Sequence, residues 1–431
     1  MGSSAAGAAF LAARRARALQ ASESLALPTF KGRPGWEFTD ISGLELERYR
    51  PVNGDLSGAG DAQRADPERS TVALPFMLAA ADAARVLEQW DGVQAPPHGQ
   101  GLPDGVLVST ITEAASEHPE LIERHLGSLV DLDDLFVARN EAGLSDGAFV
   151  YVPRDVQVEQ PIVLTAIQSA AGTELDRRTL IVLEEGSQAE VWEQFVSGSD
   201  QLDGVFNVVT ELVVGDAARL RYVCGQELSE RSWIFGAQHA EVGRDASLDW
   251  VAFGFGSARG RVRMGTRLVG PGADARVTGA YATRARQHID FDTTQEHAAP
   301  NTTSDLAFRG VLQGRSTAVW KGNIIVDPGA QKTDAFQESR NLLISKRAHA
   351  DAIPGLEIQA NDVRCTHAAA VAQVDQEQLF YLRSHGLPEE IAKRLVIEGF
   401  LAALVERFEQ GPVRDVLRDT LERRLALILD E

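Results

Sequence analysis

Two side chains able to bind a soft or borderline metal stand two residues apart, Cys365 and His367, in the run RCTHAAAVAQ. The run reads as a β-strand, and alternation along a strand sends residues i and i+2 to one face. A thiolate beside an imidazole suits iron and other soft divalent ions. Two donors make half of a tetrahedral site, so the others must come from a second chain, a substrate sulfur or water. From the residues alone the plainer expectation is a buried thiol and a hydrogen-bonded histidine, because free cysteine is commonly buried. His288 and His297 stand with Asp290, Asp292 and Glu296 in a second polar run. Its spacing matches no standard metal motif, and the expectation there is a solvated turn with capping roles. Cys224, in RYVCGQ, reads as a strand residue facing the core.

The elements around Cys365 and His367 can be read from pattern. Residues 356–374 are strand-like, and Asp375 is placed to cap a short helix, 376–384, that Gly386 stops. Pro388, followed by Glu389 and Glu390, opens a longer helix. Ile397, Phe400, Leu401, Leu404, Val405 and Phe408 form its apolar stripe, and Ile391, Leu395 and Val396 widen it. So wide an apolar surface requires either burial on two sides or a partner chain. Gly411-Pro412 breaks that helix, and Val413, Leu417, Leu421 and Leu425 mark a final amphipathic one.

Upstream, the texture changes twice. Residues 1 to about 50 read as an Ala/Arg-rich helix followed by an extended arm in which Trp36 and Phe38 are anchors. A Gly/Asp/Ala-rich linker covers 52–70, and helices are expected at 77–90, 112–130 and 132–141. From Gly147 onward, short β-rich runs follow one another for about 200 residues without helical periodicity. Gly-containing turns at Gly186, Gly215, Gly243 and Gly270–Gly272 recur about every 28–29 residues, each leading into a small residue and a strand. Turns at Gly314 and Gly329 resemble them less regularly. A near-constant coil length indicates a parallel β-helix more than a sandwich. The expected organisation is a mostly helical region with a linker over 1–146, an all-β core over 147–355, and last strands with a helical domain over 356–431.

Composition narrows the function. The net charge of −20 disfavours nucleic acid and anionic membranes as partners. Two cysteines in 431 residues supply neither a disulfide framework nor a four-thiolate site, which fits a reducing cytoplasm. The apolar AAGAAFLAA precedes its basic cluster Arg14, Arg15 and Arg17, the reverse of a signal peptide, and no run is long enough to span a bilayer. The chain has no G-x-x-x-x-G-K-[ST] phosphate loop, so ATP binding of that kind is not expected, and no G-x-S-x-G elbow.

The runs LEIQANDVRCTH and DQEQLFYLRSHGL resemble the C-terminal signature of the SufB/SufD proteins of iron–sulfur cluster assembly. The resemblance continues through QHIDFDTTQEHAAPNTTSDLAFRGVL, VWKGNIIVDPGAQKTDAFQESRNLLIS, NEAGLSDGAFVYVPRDVQVEQPI and PTFKGRPGWEFTDIS, in family order over most of the chain. SufB-like chains carry Glu directly after the histidine. Ala368 stands there, so the arrangement is similar to the SufD branch. Family members usually show His-Gly-Ala and Ser-Arg-Gly where this chain has His367-Ala368-Ala369 and Ser384-His385-Gly386; neither departure removes a proposed ligand.

The resemblance implies a right-handed parallel β-helix core, no enzymatic activity of its own, and a heterodimer with SufB through the β-helix ends. It implies docking of the SufC ATPase on the C-terminal helices, with Phe380, Ile397, Phe400, Leu401 and Leu404 as the expected contact residues. SufC dimerisation on ATP would move the segment 376–410 and open the interface. A transient iron–sulfur cluster would form there with His367 as ligand and Cys365 as co-ligand. Two rivals remain: a homodimeric β-helix binding scaffold, and a β-helix enzyme acting on polysaccharide through Asp290, Asp292 and Glu296.

Overall fold

The computed structural model describes residues 2–30, 35–52, 83–144, 146–408 and 411–429. The expected linker beyond Val52 and residues 77–82 of one expected helix lie outside them. From Gly147 the chain winds through about eight coils. Each coil gives one strand, parallel to its neighbours, to each of two ten-stranded sheets that share a common interior. The first sheet runs from Gly147–Val152 to His349–Ile358, and the second from Ile162–Gln168 to Arg364–Gln373. Successive strands stack without register slip, for example Arg219–Glu227 on Ser247–Gly254 and that strand on Asp274–Thr283. The core is therefore the parallel β-helix that the turn repeat indicates.

The glycine repeat marks one corner, where the chain passes from the first sheet to the second. A left-handed residue recurs there as Asp155, Gly186, Ala217, Asp245, Gly272 and Asn301. The conformation repeats more strictly than the glycine, because Asp, Asn and even Ala can hold it at modest cost. Gly270 is needed for a different reason: a Cβ would sit 2.0 Å from the Arg244 amide nitrogen in the coil below. Gly314 belongs to the opposite corner, which explains its irregular spacing in the sequence.

Inward side chains fill the space between the sheets. Tyr222 and Trp250 meet edge-on at 5.9 Å, and Tyr281, Phe291, Phe308 and Trp320 continue an aromatic column toward the C-terminal end. Cys224 is buried in this interior, as its strand position implies. Glu193 is fully buried there too, accepting from Arg177, Thr179 and Tyr222. A buried carboxylate persists only when its lone pairs are met in this way.

The N-terminal region covers the outer face of the first sheet. Its long helix, Gly2–Ser24, packs on the helix Leu135–Gly143, which Asp134 caps by accepting from Phe136 and Val137 amides at 2.8 and 3.3 Å. The helix expected at 112–130 is two, Ile111–Glu117 and Pro119–His125, because Pro119 cannot continue the first. The helix expected to reach Trp90 is replaced at its end by a strand. Arg85–Trp90 pairs in parallel with Ile162–Gln168 and starts the second sheet. Leu87 faces the interior and Val86 the outer cluster, so both faces are apolar and the period-2 signal is lost.

The C-terminal helices Gln376–Ser384, Glu389–Val405 and Pro412–Leu429 cover the outer face of the second sheet. Arg309 sits over the Phe400 ring at 5.1 Å and donates to the Phe400 carbonyl, while Arg407 pairs with Asp305 at 3.0 Å. No helix among the described residues is long and apolar enough to cross a membrane.

Candidate functional site

The last coil is the one the fold leaves uncovered. Among the described residues, His349–Ile358 pairs only with Thr317–Val326, and Arg364–Gln373 only with Asp334–Leu343. Both sheets therefore end at the same place with an unpaired ten-residue edge. At the opposite end, short antiparallel strands, Leu107–Thr110 and Val93–Gln94, terminate the two sheets. Exposed parallel edges invite a further strand, and solenoid ends are normally capped.

Register fixes where Cys365 and His367 point. Cys365 lies beside Ala335 and His367 beside Gln337, and both of those neighbours are buried inward residues. In-register parallel strands keep side chains in files, so the thiol and imidazole face the interior space at its open mouth. Cys365 is half-buried against Ile324, Val326 and Ala330, and His367 is exposed. Burial, with the Asp334 carboxylate nearby, pushes the Cys365 thiol up, so it is a neutral thiol until a metal displaces its proton. One coil beneath, Gln337 spans the two sheets by donating to the Gly322 and Gly355 carbonyls at 3.2 and 3.1 Å. Its buried Oε1 has no partner among the described residues, which leaves an acceptor directly under His367.

Inward positions of this coil that the sequence did not single out are apolar and uncovered. Leu356 is 36% exposed, Ile358 43% and Val371 43%. On any earlier coil the same file is buried. The signal available in the sequence was the alternation of 356–374 combined with the absence of a further coil after it. Among the described residues, no three His, Cys, Asp or Glu side chains converge to hold a metal. The end thus offers one thiol and one imidazole within an apolar, hydrogen-bonding edge, a donor set that fits iron or a sulfide-bridged cluster only if a second chain completes it.

The other expected residues lie elsewhere. Ile397, Leu401 and Leu404 are buried in the apolar cluster shared by the second sheet and the last helix, Phe400 is held under Arg309, and of the five only Phe380, 73% exposed, faces solvent. The helices instead expose Phe380, Tyr381, Ile391 and Leu395, with Leu427 on the last of them.

The polar run around His288 is not the expected solvated turn. His288–His297 is a central strand of the first sheet, and the N-terminal arm lies over it. The Thr39 hydroxyl meets His288 Nε2 at 3.0 Å and donates to Asp290 at 2.5 Å; Arg261 pairs with Asp290 and Asp292 and lies under the Trp36 ring. His297 is fully buried between Thr302 and Ser304, and Glu296 pairs with Arg267 at 2.8 Å. These carboxylates are consumed in packing and do not form an open acid–base pair.

Burial holds His288 and His297 down at about 4, from 6.5. Between those values the unfolded chain takes up protons that the folded chain refuses, so the stability present above pH 6.5 is lost as pH falls toward 4. One such imidazole accounts for about 3 kcal/mol over that window. Asp290, whose pKa burial raises, works in the opposite direction. Denaturant titrations of His297→Gln and the parent across this range are expected to converge as pH falls, with a slope difference of about one proton. Parallel curves would refute the assignment.

Residues 166–400 match the family model described as "SUF system FeS cluster assembly, SufBD core domain", and residues 80–164 match "SufBD protein N-terminal region". The chain belongs to the SufB/SufD family of iron–sulfur cluster assembly proteins. Within that family it is 34% identical to the iron–sulfur cluster assembly protein SufD of Bacillus subtilis, over 77% of this chain and 78% of that one. It is also 31% identical to a SufBD family protein of Mycobacterium tuberculosis, over 76% of this chain and 84% of the other. The chloroplastic protein ABCI7 of Arabidopsis thaliana is 30% identical over 74% of this chain and 68% of its own length.

Proposed function

We propose that this chain is a non-catalytic scaffold subunit that pairs with SufB through its open solenoid end and docks the SufC ATPase on its C-terminal helices. The observation that carries this reading is the coincidence of two unpaired strand edges with the coil that holds Cys365 and His367. Strands of a second solenoid continue both sheets, cover Leu356, Ile358 and Val371, and bring further ligands to the thiol and imidazole. The nascent iron–sulfur cluster is cargo, held between the two chains and passed on. ATP is bound and hydrolysed by SufC; this chain has no phosphate loop with which to do so. In this reading the chain works in the cytoplasm. Where SufB is absent, the same edges pair two copies of this chain.

Co-expression with SufB and SufC of the same organism, followed by purification through a tag on this chain alone, tests the reading. A complex containing all three proteins is expected. Recovery of this chain alone or only with itself, with SufB and SufC both well expressed, would sink it.

A further inference from the structure

Away from the open end, the feature that packing does not explain is electrostatic. At the corner where the chain returns from the second sheet to the first, loops 284–287, 313–316 and 344–348 stack. Arg315 N donates to the Ala285 carbonyl at 2.7 Å, Thr317 N to Gln287 at 2.9 Å, and His349 N to Ser316 at 3.1 Å. These loops read RARQ, QGRS and ISKRA, with no carboxylate among them. Arg284 turns to Glu230 at 2.7 Å. Arg286, Arg315, Lys346 and Arg347 are exposed, and none has an ion-pair partner among the described residues.

The contrast with the other corner makes this significant. There, Arg154 pairs with Glu185, Arg244 with Asp216 and Lys332 with Asp362. In a chain with a net charge of −20, carboxylates are abundant, yet one ridge over three consecutive coils goes without them. Unmatched like charges held side by side repel one another, and an anionic partner relieves that repulsion.

The dimensions select the partner. Coils stack at about 4.8 Å, so the ridge from Arg286 to Lys346 spans roughly 10 Å. An extended polypeptide presents same-face side chains about every 7 Å, so two or three carboxylates along one segment meet the whole ridge. The ridge is too short to neutralise many phosphates, and the acidic body around it repels a long polyanion. We propose that this ridge docks an acidic polypeptide segment of a protein partner. The last loop leads into His349–Ile358, so the segment arrives on the flank of the open coil. The inference stands on the charge distribution and not on pairing with SufB.

Fluorescence anisotropy of a labelled oligoglutamate with the full chain, over a salt series, tests it. Binding that weakens with salt is expected. The variant Arg286→Gln/Arg315→Gln/Lys346→Gln/Arg347→Gln is expected to bind at least about tenfold more weakly, with an unchanged melting temperature. Removing the paired cations at the other corner, by Arg154→Gln/Arg244→Gln/Lys332→Gln, is expected to leave affinity within about twofold. No binding by the parent chain, or equal binding by the ridge variant, overturns the proposal. Tighter binding of single-stranded DNA or of phosphatidylglycerol vesicles overturns it as well, by assigning the ridge to another polyanion.

Discussion

Replacing His367 with alanine is expected to leave the chain folded and paired with SufB while lowering the yield of reconstituted iron–sulfur cluster at least about tenfold. Its imidazole makes no hydrogen bond or ion pair among the described residues and is exposed on the last coil, so its loss removes little from the fold. Exposed substitutions of this kind usually change stability by less than about 0.5 kcal/mol. The strand edges proposed to pair with a second solenoid are backbone and remain. Cys365→Ala is expected to act more weakly, because its thiol is half-buried against Ile324 and Val326 and must give up a proton that burial makes harder to remove. For the same reason the share of loading that depends on Cys365 rises with pH. Cluster yield read by visible absorbance, beside size-exclusion chromatography of the complex, separates the outcomes. Full cluster yield in His367→Ala means the cluster is ligated elsewhere. Loss of pairing together with yield means the residue serves the interface and not the metal.

Residues differ in how far the sequence exposed them. The coil is legible because its turn chemistry is local: a left-handed residue and a close backbone approach recur wherever the chain leaves the first sheet. Cys365 and His367 are legible as a same-face pair for the same reason, since alternation is a property of the strand itself. What alternation does not say is which face is inward; that came from Ala335 and Gln337 one coil below. The strand Arg85–Trp90 was hidden because burial on both faces erases periodicity. The burial of the segment around His288 is not legible in the sequence because His288 and Asp290 are satisfied by Thr39, about 250 residues earlier in the chain. Composition predicts exposure only when such distant partners are absent.

The helix Glu389–Val405 shows the same limit and yields the sharpest separation of fold from docking. Its stripe was legible, but a stripe does not say whether a sheet or another protein covers it. Ile397, Leu401 and Leu404 are taken by the chain's own cluster of second sheet and last helix, and Phe380, Tyr381, Ile391 and Leu395 are what the first two C-terminal helices leave outside. Ile391 and Leu395, four residues apart, share one helix face. The variant Phe380→Asp/Leu395→Asp is therefore expected to weaken SufC binding about a thousandfold, as two anchors worth about 2 kcal/mol each would. Its melting temperature and its pairing with SufB are expected to be unchanged. Leu404→Ala is expected to do the reverse: it opens a cavity under the helix and costs about 2–5 kcal/mol, while SufC binding at temperatures where the chain is folded stays within a few-fold. Calorimetric titration of SufC into each variant, with thermal melts alongside, reads both effects. Unweakened SufC binding in the Asp variant would place the ATPase on another surface and leave these four exposed residues unexplained.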